Sequence, residues 1–65
     1  MIPLTKINGS AFVLNSELIK YIESTPDTMI TLTTGDRLLV KEKTEDVIRK
    51  VIEYGRMLRR LVEPT

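Results

Sequence analysis

The chain contains no cysteine and no histidine. Those two absences exclude disulfides, Cys/His zinc sites and cysteine-ligated iron–sulfur clusters. A Ser or Thr nucleophile needs a positioned base, and no imidazole is present to act as one. Ser10, Ser16 and Ser24 fall instead at turns or strand ends, where serine is favoured for conformational reasons. Charge of one sign is also missing: Lys+Arg number 10 against Asp+Glu 9, a net charge of +1. Nucleic-acid binders usually carry a basic excess on one face, so nucleic acid is disfavoured as a partner. The few aromatics, Phe12, Tyr21 and Tyr54, do not interleave with a basic stripe as base stacking requires. Gly9, Gly35 and Gly55 stand alone, so no phosphate-cradling loop exists. No apolar run approaches the ~20 residues of a membrane span. The start, Met1 to Lys6, lacks the basic opening and apolar stretch of a signal peptide. A non-enzymatic cytoplasmic protein without cofactor, metal or transmembrane segment is expected.

At 65 residues the chain is short enough for one domain, taken as 1–65. A domain of this size buries only about 60% of the surface its unfolded chain exposes. Small domains often add a disulfide, a metal or a partner subunit. With the first two excluded, self-association is the expected support.

Strand and turn signals fill the first two thirds. Ile2 to Ile7 mixes β-formers with one proline, and Pro3 places this strand at an edge or delays its start. Asn8-Gly9 between apolar runs predicts a type I′ hairpin, with Ala11 to Leu14 as the return strand. Asn15-Ser16-Glu17 reads as a turn or short capped bend. Leu18 to Ser24 is ambiguous: Leu18, Ile19 and Ile22 share a helical face, but a helix here would have only two turns, so a strand over Ile19 to Ser24 is favoured. Thr25-Pro26-Asp27-Thr28 is a tight turn with Pro26 at its second position. Met29 to Thr33 and Arg37 to Glu42 are strands about a loop at Thr34-Gly35-Asp36. The fold class is therefore α+β: a small antiparallel meander or half-barrel of four to five short strands within 2–42, followed by one C-terminal amphipathic helix over about 44–62.

That helix opens on Thr44 as N-cap, with Glu45 and Asp46 on the positive end of its dipole, and Pro64 is expected to stop it. Glu42, Glu45 and Asp46 are the densest acidic group. They fit a strand end and a helix N-terminus better than an acid–base pair. At about 100° per residue, Val47, Ile48, Val51, Ile52, Tyr54, Leu58, Leu61 and Val62 fall on one side. This arc spans about half the circumference, wider than the stripe of roughly 100° a surface helix needs. The excess suits a second chain, and a homo-oligomer interface is expected at Val51, Gly55, Leu58 and Val62. Gly55 inside the arc marks either a close backbone approach or a tolerated weak point. Arg56, Arg59 and Arg60 either complement the dipole on a solvated face or meet an acidic or phosphate-bearing partner.

The order of residues adds a likeness. Tyr21-Ile22-Glu23-Ser24-Thr25-Pro26-Asp27-Thr28-Met29-Ile30-Thr31-Leu32-Thr33-Thr34-Gly35 resembles the core motif of the FlbD/SwrD family of small flagellar proteins. The opening Ile2 to Gly9, and Val40-Lys41-Glu42 with Glu45-Asp46-Val47-Ile48, resemble that family as well. The tail from Arg56 to Thr65 is less typical. The resemblance implies a motility accessory protein in the cytoplasm or at the inner membrane face. Its partner would be a flagellar motor or export component, its role the support of motor power, and it carries no catalytic residues. The alternative from a different class is a small nucleic-acid-binding regulator contacting phosphate through Arg56, Arg59 and Arg60.

Overall fold

A computed structural model describes residues 1–62, the side chain of Val62 excepted. The expectation that Pro64 ends the helix lies outside the described residues. The first hairpin pairs β1 (Ile2–Thr5) with β2 (Ala11–Leu14), setting Ile2 opposite Leu14 and Leu4 opposite Phe12. Ile2, Leu4 and Leu14 are buried while Pro3 and Val13 face outward, the period-2 pattern of a half-buried strand. β1 begins before Pro3 rather than after it. The Thr5 N–H points away from β2, to the Glu42 carboxylate, and Pro3, two residues earlier, has its missing N–H on that same side, so no hairpin bond is lost.

The turn differs from the type I′ geometry that Asn-Gly predicts. The Lys6 N–H donates to the Ser10 carbonyl and the Gly9 N–H to the Lys6 carbonyl, both at 2.8 Å. Gly9 has φ +95°, whereas among the described residues no non-glycine has positive φ. This is a three-residue loop: a type I turn followed by a left-handed glycine. Asn8 Oδ1 accepts the Ser10 N–H at 2.9 Å, a local bond that holds Asn8 in the turn and leaves the left-handed position to Gly9. Ile7 therefore belongs to the loop and not to the strand. The same device recurs at Leu32 to Asp36. There the Gly35 N–H donates to the Leu32 carbonyl at 2.9 Å, the Leu32 N–H donates to the Asp36 carbonyl at 2.8 Å, and Gly35 has φ +94°.

Three strands follow as a meander: β3 (Ile19–Ser24), β4 (Thr28–Leu32) and β5 (Arg37–Val40), in the order β3-β4-β5. A single 3-10 turn, Ser16–Leu18, leads in, with the Asn15 side chain accepting the Glu17 N–H at 3.1 Å. The helix-like spacing of Ile19 and Ile22 has a specific origin. The β3–β4 register shifts between Ile19 and Tyr21, and the extra residue lets both isoleucines face the core while Tyr21 faces out. Residues 25–27 form the bend between β3 and β4, with a cis Thr25–Pro26 peptide and the Thr25 N–H donating to the Asp27 carbonyl at 3.2 Å.

The two sheets run into one another. Lys6 bridges to Val40, the Ile7 N–H donates to the Leu39 carbonyl at 3.2 Å, and the Lys41 N–H donates to the Thr5 carbonyl at 2.9 Å. β5 stops at Val40, short of the expected Glu42. Glu42 instead turns its carboxylate back onto Thr5, accepting from the Thr5 N–H and from the Thr5 hydroxyl, each at 2.9 Å. Helix α1 (Thr44–Val62) then packs against β1 and β3. The Lys43 carbonyl accepts from the Val47 N–H at 3.0 Å, which makes Lys43 the N-cap and Thr44 the first helical residue. The Thr44 hydroxyl donates to the Glu45 carboxylate instead of capping the helix. Ile2, Leu4, Leu14, Ile30, Val40 and Val47 form the core, with Ile30 flanked by Ile22 and Leu38 on the neighbouring strands.

Candidate functional site

Among the described side chains of α1, those packed against the core all precede Gly55. Val47 is fully buried, and Val51 and Tyr54 are half-buried against the core. Their line, at spacings of four and three, continues through Leu58, 37% exposed, and Leu61, 76% exposed. A 19-residue helix is about 28 Å long, and the sheet covers only part of that length. The molecule is accordingly elongated, 43 Å against 22 and 18 Å.

A second apolar line flanks the covered one. Ile48 is 47% exposed and Ile52 49% exposed, and Gly55 follows at the same spacing. A Cβ built on Gly55 meets nothing within 4 Å, so among the described residues no other element approaches it. The apolar arc is thus divided: its centre packs on the sheet while its flank and its outer end face solvent. Of the residues expected at an oligomer interface, Val51 packs against the chain's own core, Gly55 and Leu58 are exposed, and the side chain of Val62 lies outside the described residues. Met57, which the sequence reading passed over, is exposed beside Met1 and Tyr54 at the edge of β1. Its neighbours come from the far end of the chain, so no local pattern pointed to it.

Charge divides along the helix. Glu45, Asp46 and Glu53 lie in the first half with Arg49 and Lys50, whereas Arg56, Arg59 and Arg60 occupy the outer half without an acid up to Val62. Arg49 pairs with Asp46 at 3.0 Å and with Glu53 at 3.9 Å. Among the described residues no carboxylate reaches Arg56, Arg59 or Arg60, and all three are exposed. Two acids near the helix start are tuned. Burial pushes the Glu42 carboxyl up, but the Thr5 N–H, its own N–H, the Thr5 hydroxyl and the Lys50 ammonium together hold it below its ordinary value. Hydrogen bonds from its own N–H and the Thr44 hydroxyl lower Glu45 as well. Both are held by structural partners.

No group of three or more His, Cys, Asp or Glu side chains converges among the described residues. No helix there is long and apolar enough to cross a membrane. Of the aromatics, only Tyr21 is exposed, and the Lys20 ammonium lies 5.3 Å from its ring centre. The distinctive surface is therefore the exposed flank and outer half of α1. A family described as flagellar and swarming motility proteins matches residues 1–58. No curated protein and no solved structure matches the chain.

Proposed function

The chain belongs to the FlbD family of flagellar and swarming motility proteins, and from that premise we propose that it acts without catalysis, by protein–protein contact, as an accessory that supports the flagellar motor. The observation that carries this reading is the division of α1. One half is anchored on the sheet, and the other presents Leu58, Leu61 and three arginines to solvent. A side chain such as Leu61, exposed and without a packing role in its own domain, is available for contact with another surface. The β-sheet in this view is a mount that fixes where the helix emerges. The work is done at the cytoplasmic side of the motor, with a motor or export component as the partner.

The test is genetic and mechanical. Deleting the gene is expected to reduce swarm expansion and the torque of tethered cells while filaments still assemble. Complementation with Leu61→Asp or with Arg56→Glu/Arg59→Glu should restore protein level but not torque. Unchanged swarming and torque in the deletion strain would count against the motor role. Full complementation by the helix variants would move the contact elsewhere on the molecule.

A further inference from the structure

We propose that α1 pairs with the α1 of a second copy of this chain, antiparallel about a two-fold axis, along the seam Ile48, Ile52, Gly55 and Arg59. These four positions follow one another at spacings of four, three and four, so they share one line on the helix. That line is the exposed flank of the apolar arc. Two-fold symmetry makes the contact self-complementary. With the axis passing between Ile52 and Gly55, each Ile52 meets the other copy's Gly55, and each Ile48 meets the other copy's Arg59 stem. A large side chain thus faces a position without one at the centre of the seam. The space at Gly55 is open in this chain, so a second backbone can approach there.

Charge selects the direction. In an antiparallel pair the basic outer half of one helix, with Arg56 and Arg59 nearest the seam, lies toward the first turn of the other, with Glu45 on the seam side. The helix dipoles oppose as well. A parallel pair would set the arginines of one copy against those of the other. The face carrying Arg49 with its partners Asp46 and Glu53 points away from the seam and stays in water.

The same arrangement also places the outer half. Each outer half overhangs its own sheet, and in the antiparallel pair it runs alongside the other copy's sheet-covered half. Leu58 and Leu61 lie on the line that faces the chain's own sheet. The two sheets fall on the same side of the helix pair, with Leu58 about 90° from the seam and Leu61 turned away from the second copy. One geometry thereby removes Ile48 and Ile52 from water together and leaves Leu61 open to a further partner. The inference rests on helix geometry rather than on the motor role. A monomer in solution leaves the motility reading standing, and normal motility leaves the dimer standing.

Sedimentation or light scattering of the full chain across a wide concentration range is expected to give twice the mass of one chain. Gly55→Leu and Ile52→Asp should each return it to a single chain with unchanged far-UV circular dichroism. Because the chain has no Cys, single cysteines report direction. Ile48→Cys mixed with Arg59→Cys should form a disulfide across the two chains, and Ile48→Cys alone should not. A single-chain mass at every concentration overturns the proposal. Cross-linking of Ile48→Cys to itself without the mixed product overturns the antiparallel direction. A chain that is monomeric in solution but sediments with vesicles of phosphatidylglycerol and phosphatidylethanolamine overturns it too, and gives the face to a lipid surface.

Discussion

At the scale of single residues, the contact of Glu42 with Thr5 connects the first strand to the start of the helix. It spans 37 positions and uses both carboxylate oxygens, one for a backbone N–H and one for a hydroxyl. It ties down β1 along the edge that faces β5, beside the Lys6–Val40 bridge and its neighbouring bonds. The carboxyl titrates lower in the folded chain than when unfolded, so its contribution is present above its unfolded pKa and is lost as pH falls through the lower, folded value. Urea midpoints measured from neutral pH downward should show Glu42→Gln less stable than the parent at pH 7. The gap should close as the solution passes below about pH 4. A gap that stays constant down to pH 3 would mean the charge of Glu42 is irrelevant to the fold.

Within elements, the helix is one piece of secondary structure with two kinds of support. Its first half is held by Val47, Val51 and Tyr54 against the sheet. Its outer half includes Gly55, adds no side chain to the core among the described residues, and is shorter than the roughly 12–15 residues at which isolated helices become even marginally stable. Hydrogen exchange should therefore be fast at amides from Arg56 to Leu61 in dilute protein and slow from Val47 to Tyr54. Protection of the outer half should rise with protein concentration when a second helix lies on it. Uniform slow exchange at every dilution would mean that the outer half is held by something within its own chain. The strands show a comparable economy: two loops of different sequence, Ile7-Asn8-Gly9 and Thr33-Thr34-Gly35, solve the hairpin with the same hydrogen bonds and one left-handed glycine each.

For the molecule as a whole, the core is small: among the described residues, six buried apolar side chains with seven more packed against them. A chain of this length has little stability to spare, on the order of 0.05–0.15 kcal/mol per residue. Several large apolar side chains nevertheless remain in water on α1. Pairing the helices uses part of that surface, and mass action then links stability to concentration. The midpoint of thermal unfolding should rise as protein concentration is raised, and Gly55→Leu should abolish that rise. Leucine is a better helix former than glycine by close to 1 kcal/mol, so this variant should be no less stable than the parent when both are dilute. A concentration-independent midpoint in the parent would separate stability from association. The motility role then rests on the family and on the outer helix face, with the dimer as the unit that presents it.

Much of this was legible in the order of residues. Alternation in Ile2 to Leu4 and in β4, the glycine-bearing loops and the amphipathic helix are local patterns, and local patterns are what hydrophobic periodicity and turn chemistry encode. The absence of His and Cys excluded whole classes of chemistry before any fold was known. The Leu18 to Ser24 segment was only half readable. A bulge converts strand spacing into the i, i+3 spacing of a helix, and a bulge exists only relative to the neighbouring strand. Asn8-Gly9 pointed to the right turn position but the wrong turn type, since both types accept the pair and the Asn8–Ser10 bond decides between them. The Glu42–Thr5 clamp, the place of Met57 and the length of helix the sheet covers all depend on residues far apart in the chain. A helical wheel shows that the apolar arc is wide. Only the position of β1 and β3 beneath the helix shows which part of the arc is covered, because coverage is set by where distant strands end and not by the helix's own residues.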